Sequence, residues 1–221
     1  MIQVHHLNNS RSQRVLWLLE ELELPYEIIK YERDPKTQLA PKALAAIHPL
    51  GKSPVVTDGD ATLAESGAIV EYFIETYGKG RLAPRPGTPA HRDYRYFLHY
   101  AEGSLMPLLV MKLVFNRVRR APLLVRPVAK MIANRVSGQF IDPNLRRHIA
   151  FLDAHLATHK WFAGDELTAA DIQMSFPCEA VVSRGSALGD TARIAALVAT
   201  YKARPAYQRA LERGGPYSLV G

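Results

Sequence analysis

Residues 48–73 read HPLGKSPVVTDGDATLAESGAIVEYF, and the punctuation of this stretch decides the fold. Pro49-Leu50-Gly51-Lys52 is a turn, and Ser53-Pro54-Val55-Val56-Thr57 is an extended, β-branched run that starts at a proline, where a strand tolerates the missing N–H. Asp58-Gly59-Asp60 supplies residues that accept positive φ and predicts a hairpin into Ala61-Thr62-Leu63. From Glu65 onward Ile69, Val70, Tyr72, Phe73 and Tyr77 mark a helix that ends near Gly78. The stretch is therefore a β-β-α unit.

Upstream, residues 2–7 (IQVHHL) alternate as a short strand, residues 14–24 (RVLWLLEELEL) carry apolar side chains at helical spacing, and Pro25 stops that helix. Residues 26–31 (YEIIKY) form a second strand, and a polar stretch with Pro35 and Pro41 follows. The order β-α-β, irregular helix, β-β-α is that of a thioredoxin-like domain with a mixed four-stranded sheet, placed at residues 1–78. Residues 79–88 are dense in Pro and Gly and read as a linker. Beyond them only helical periodicity is found, over roughly 89–120, 122–136, 143–158, 169–183, 191–203 and 205–213, so residues 89–221 are expected to form an all-helical domain.

With 48% hydrophobic and 22% charged residues, the composition is that of an ordered globular protein. It contains no run of about 18 uncharged apolar residues and no basic segment leading into an apolar stretch at its start, which argues against a membrane span or secretion. Cys178 has no partner for a disulfide, so a reducing compartment, the cytoplasm, is expected. A metal site is not expected. His5 and His6 are adjacent in a strand and face opposite ways, and His155 and His159 lack an accompanying Glu in a zincin pattern.

The net charge of +7 is unevenly distributed. Residues 104–141 contain no Asp or Glu, yet hold Lys112, Arg117, Arg119, Arg120, Arg126, Lys130 and Arg135, a number of cations equal to the whole excess. This cationic, apolar segment reads either as a lid that attracts acidic molecules to an apolar site or as a surface for peripheral contact with an anionic membrane, and the lid is the preferred reading. No interleaved aromatics support nucleic-acid binding.

Three features of the first 78 residues converge on one ligand chemistry. Asn8-Asn9-Ser10-Arg11-Ser12 joins the first strand to the first helix, where free N–H groups and the helix dipole favour an anion such as a thiolate. In a cis form, the Ser53-Pro54 bond would turn the Ser53 backbone toward a cleft, to pair with a peptide in the manner of strand addition. Ala64-Glu65-Ser66-Gly67 opens a helix, so the Ser66 hydroxyl and N–H suit a carboxylate while Glu65 suits an ammonium, as a free amino-acid terminus requires.

The pieces SRSQRVLWLLEELELPYE (10–27), HPLGKSPVVTDGDATLAESGAIVEYF (48–73) and LTAADIQMSF (167–176) resemble those of soluble, cytosolic glutathione transferases, most nearly bacterial and fungal members. The resemblance runs along the whole chain. It implies glutathione as co-substrate, with Pro54 cis, Ser53 on the cysteinyl backbone, Glu65 and Ser66 on the γ-glutamyl end, and Lys52 suited to the glycyl carboxylate. Thr168 and Asp171 match the family's capping box. The family places a Tyr, Ser or Cys near the end of the first strand; Ser10, four residues before Arg14 as in serine-type members, is the expected catalytic hydroxyl. Asn9 and Ser12 stay as alternatives, and Arg11 is placed to assist electrostatically.

The implied activity is conjugation of the glutathione thiolate to small apolar electrophiles in detoxification, with reduction of organic hydroperoxides as a variant. A noncatalytic glutathione-binding or interaction module on the same fold is the alternative. Leu105, Met106, Leu109, Val110, Leu113 and Phe115, with Tyr100 nearby, are the candidates for the apolar walls, although for any one of them ordinary core packing is the preferred reading. A homodimer is also implied, with Tyr72, Tyr77, Arg92 and Tyr96 as candidate interface residues.

Overall fold

The computed structural model describes residues 1–184, 187–215 and 217. Its sheet is assembled from the stretches that alternation marked: β1 (Ile2–Leu7), β2 (Tyr26–Tyr31), β3 (Val55–Asp58) and β4 (Ala61–Ala64), in the order β2-β1-β3-β4. β1 runs parallel to β2 and antiparallel to β3, and β3 turns back into β4 through the hairpin at Gly59, whose φ of 57° a residue without Cβ adopts readily. As the central strand, β1 has neighbours on both edges and is buried along almost its whole length.

Two helices pack against this sheet within the first part of the chain, α1 (Ser12–Leu22) and α3 (Ser66–Tyr77). Between them lies the short α2 (Ala43–Ile47), where the element order places an irregular helix. Boundaries shift by a residue or two from the expected ones. α1 begins at Ser12 because Ser10 already bonds the Ser12 and Gln13 N–H groups, and β3 begins at Val55, after the proline.

The rest of the chain is helical: α4 (Pro89–Tyr100), α5 (Met106–Val118), α6 (Arg126–Val136), α7 (Asp142–Leu156), α8 (Ala169–Arg184), α9 (Ala192–Lys202) and α10 (Pro205–Gly214). Periodicity did not reveal that π-helical turns, Ala101–Leu105 and Ser137–Ile141, link α4 to α5 and α6 to α7. α6 starts later than the spacing suggests because residues 122–125 form a turn, and Pro127 then occupies the first helical turn, where its missing N–H costs nothing. Among the described residues no helix is long and apolar enough to cross a membrane.

One contiguous core joins the two parts. Trp17 of α1 stacks on Tyr201 and meets the edge of Tyr207, while Val15, Leu18 and Leu19 are fully buried. Helix α10 is tied back by Arg209 and Arg213, whose guanidinium groups bond Glu20, with Arg213 also lying over the Tyr26 ring. Cys178 is buried in the same core, and burial pushes its thiol up.

The capping box expected at the start of α8 is formed. Asp171 accepts from the Thr168 N–H (2.8 Å) and hydroxyl (2.9 Å), and its other oxygen accepts from the Phe162 N–H (2.8 Å). All of these groups are buried. Asp171→Ala leaves three donors without a partner and is expected to lower stability by about 3–5 kcal/mol in urea unfolding, with Asp171→Asn costing less.

Candidate active site

β1 ends at Leu7, and Asn9, exposed and at φ 50°, turns the chain toward α1. Ser10 follows, buried at 4% exposure. Its Oγ accepts the Ser12 N–H and lies 2.7 Å from the Ser12 hydroxyl, which in turn is 2.9 Å from His6 Nδ1 and bonds the Leu7 carbonyl. Ser10 Oγ also stands 3.4 Å from Ser53 Oγ. A chain of hydroxyls therefore runs from His6, inside the sheet, to Ser53. Burial, with the charge of Lys30 adding to it, lowers the His6 pKa from 6.5 to about 4, so the imidazole in this chain is neutral near pH 7.

The opposite wall comes from the β-β-α unit. Gly51 (φ 57°) turns the chain into Lys52, and the Ser53–Pro54 peptide is cis. The Ser53 hydroxyl donates to the His5 carbonyl (3.0 Å) and accepts the Leu7 N–H (3.3 Å), fastening this turn to the end of β1. The β1–β3 ladder begins only at Val55, opposite His5, so the Ser53 backbone lies outside it. After β4, Glu65 adopts φ 69° and ψ 116°, a conformation unusual for a residue with a Cβ, and α3 starts at Ser66. Ser66 is buried, and its hydroxyl accepts from Gln173 Nε2 of α8 (3.2 Å).

Charge at the centre is organised by Arg14. Its guanidinium, with no exposed surface, donates to the Gln173 carbonyl (2.7 Å) and to Glu102 Oε1 (2.7 Å). Glu102 sits in the π-helical turn between α4 and α5 and also takes both contacts of Arg11 Nε, at 2.9 and 3.0 Å. Burial alone would raise the Glu102 carboxyl, but Arg14 and Arg11 hold it below the usual value. Both guanidinium groups lie over the Phe176 ring, at 5.3 and 5.4 Å from its centroid.

These elements enclose a cleft of about 210 Å³, lined by Arg11, His48, Leu50, Lys52, Ser53, Pro54, Ala64, Glu65, Ser66 and Glu102. The structure thus brings Arg11, Lys52, Ser53, Pro54, Glu65 and Ser66 together, as expected. Ser10 lies one layer behind, against Ser53; Asn9 is on the surface side of the turn; Ser12 is buried deeper still.

His48, Leu50 and Glu102 went unremarked in the sequence, as did Gln173 and the part played by Arg14. Of these, Glu102 alone carried a visible mark, as the last acid before the acid-free segment. Of the candidates for apolar walls, Tyr100, Leu105, Met106 and Leu109 belong to the common core and Val110 is exposed; none lines this cleft, while Leu109 and Leu113 line a second, mostly apolar pocket with Leu145, Ile149 and Val181. Among the described residues no group of His, Cys, Asp or Glu is arranged to hold a metal. His155 and His159 stack on each other and bond backbone carbonyls instead.

A thioredoxin-like sheet with an attached helical bundle, and a cleft made by a cis-proline turn and a helix N-terminus, defines the class of fold to which the chain belongs. Comparison with known proteins narrows the class. Residues 1–75 match the family model described as glutathione S-transferase, N-terminal domain, and residues 141–205 match the corresponding C-terminal domain. Glutathione S-transferase 3 of Schizosaccharomyces pombe is 38% identical over 178 residues, covering 80% of this chain and 73% of that protein. A solved glutathione S-transferase from Actinobacillus pleuropneumoniae superposes with a TM-score of 0.78 at 31% identity, over 100% of this chain and 95% of that one. A glutathione transferase family member from Pseudomonas fluorescens, solved with two glutathione bound, gives 0.72 at 26% identity, over 96% of this chain and 92% of that one. The chain belongs to the glutathione S-transferase family.

The buried hydroxyl chain has a thermodynamic consequence. Because the folded state holds the His6 pKa near 4 while the unfolded chain protonates at 6.5, the stability tied to neutral His6 is complete above pH 6.5 and is lost as the pH falls toward 4. His6→Asn keeps an acceptor for Ser12 but does not titrate. Between pH 7 and 4 the wild type should lose up to about 3 kcal/mol relative to this variant, measured by urea unfolding at each pH.

Proposed function

We propose that this protein binds glutathione in the cleft between the Ser53–Pro54 turn and α3, and that it conjugates the glutathione thiolate to small apolar electrophiles. The reading rests on one observation above the others: Lys52, Ser53, Glu65 and Ser66 line the same cleft, with Ser10 directly behind Ser53. Their chemistry matches glutathione from end to end. The Ser66 hydroxyl and N–H at the start of α3 suit the γ-glutamyl carboxylate, Glu65 the adjacent ammonium, the Ser53 backbone the cysteinyl amide, and Lys52 the glycyl carboxylate. The glutathione-bound structure of the Pseudomonas fluorescens family member supports this use of the fold. The division into residues 1–78, a linker at 79–88 and residues 89–221 is retained as the working organisation.

A free thiol has a pKa of about 8.5, so only a few per cent is ionised at neutral pH. A hydrogen bond from Ser10, together with the positive end of α1, stabilises the thiolate without a general base. His6 at the far end of the hydroxyl chain is neutral and poorly basic, in keeping with a chain that orients the hydroxyls and does not carry the proton away. Ser12 is engaged by His6 and the Leu7 carbonyl and is less suited to the thiolate, and Asn9 lies farther out on the turn. The bound thiolate also has the chemistry to reduce organic hydroperoxides. A two-fold dimer is part of the proposal; Tyr96 is exposed for it, while Tyr72 and Tyr77 bond Asp58 within the chain.

The burial of Ser10 favours one second reading, a glutathione-binding module without turnover. Calorimetry with glutathione, paired with conjugation of an aryl halide, separates the two. The first reading expects wild-type turnover that falls about 10–100-fold in Ser10→Ala with glutathione affinity kept. Binding with no wild-type turnover establishes the second, and absence of binding removes both. Glu65→Gln and Ser66→Ala should each weaken glutathione binding about ten-fold or more, with kcat at saturation changed far less.

A further inference from the structure

α6 is amphipathic in an inverted sense. The residues it turns inward, Arg126, Ala129, Ala133 and Val136, are small or polar for the most part, whereas Val128, Met131 and Ile132 fall on the opposite side and are exposed. The turn before α6 adds Leu123 and Val125, and Leu124 at 98% exposure. These six apolar side chains follow one another at helical spacing or sit at the tip that leads into the helix. Nothing among the described residues covers them, and a contiguous exposed apolar face of this kind marks an interaction surface.

Cations frame the face. Arg117, Arg120, Lys130 and Arg135 are exposed, and none of them forms an ion pair among the described residues, while Arg119 bonds Asn116 and Asn134 and Arg126 the Ala121 carbonyl. The segment from 104 to 141 has no acid of its own, and Lys112 alone in it is neutralised, by Asp142. None of the exposed cations lines the cleft; Lys112, with Leu109, Leu113 and Asn116 of the same segment, lines a second, small apolar pocket.

From this we infer that the tip at residues 119–125 and the outer face of α6 dock this protein on an anionic lipid surface. The occupant must answer both features, an apolar stripe and exposed cations without an ion-pair partner among the described residues, in a segment without an acid of its own. An anionic bilayer meets both features. The leucines of the tip and the α6 stripe enter the boundary between headgroups and acyl chains, and the flanking Arg and Lys side chains reach the phosphates. No span is involved. The inference stands apart from the glutathione reading, since neither patch residues nor lipid enter that site.

Flotation of the full-length protein with phosphatidylcholine vesicles, with and without phosphatidylserine, tests it. Partitioning should be at least about ten-fold stronger on the anionic vesicles and should weaken with added salt. Leu124→Ser with Met131→Ser, and separately Arg120→Gln with Lys130→Gln, should each lower it at least about ten-fold while Tm is unchanged, since all four side chains are exposed. The inference is overturned if the wild type binds neither vesicle or both equally, or if either pair of substitutions leaves binding intact. It also fails if the leucine and methionine substitutions convert a dimer to a monomer in size-exclusion chromatography, which would assign the face to a second copy.

Discussion

A guanidinium with no contact to solvent, that of Arg14, sits where the sheet, α1, α8 and the π-helical turn before α5 meet. Such a charge is tolerated inside a protein when an opposite charge and acceptors replace water, and here Glu102 and the Gln173 backbone carbonyl take the two terminal nitrogens, while Nε is buried without a partner among the described residues. The constraint acts in both directions. Arg14 fixes Glu102 at the rim of the cleft and holds α8 so that the Gln173 side chain reaches Ser66. The residues of the first 78 positions are thereby set in place by helices that follow much later in the chain.

The same economy governs the other side of the cleft. Ser53 closes the end of the β1–β3 ladder with its side chain, leaving its backbone outside the ladder, and Ser10 closes the start of α1 while lying against Ser53. Both residues satisfy backbone groups that would otherwise be orphaned, and they lie at the wall of the cleft proposed for glutathione, with Ser10 directly behind Ser53. The structural role and the proposed chemical role fall on the same two serines, so substitutions there need affinity, turnover and stability measured separately.

Much of this was legible in the residues alone. Alternation, Pro25 and the Asp58-Gly59-Asp60 hairpin located the strands, and the helices of the second half followed from apolar spacing, because each signal is local. The cleft residues at 52–54 and 65–66 were legible for the same reason: turn chemistry and a helix start are written in adjacent positions. What stayed hidden depends on contacts across the chain. Arg11 meets Glu102 at a separation of 91 residues and Arg14 meets Gln173 at 159, and no short-range pattern announces either. The π-helical turn that aims Glu102 inward is invisible to a 3.6-residue period. Apolar residues at 100–109 carry the same letters whether they line a ligand or fill the core; core is the preferred reading for each, and packing places most of them there, with Leu109 also bordering a small apolar pocket.

The account turns on a single claim, that glutathione lies across the cleft with its γ-glutamyl end at the start of α3 and its sulfur toward α1. A diffraction structure of the full-length protein with glutathione tests it most directly. The account predicts the γ-glutamyl carboxylate on Ser66, the cysteinyl amide paired with the Ser53 backbone and the sulfur within hydrogen-bonding reach of Ser10 Oγ. Glutathione bound in the reverse direction, seated elsewhere, or with its sulfur held by Asn9 would contradict it.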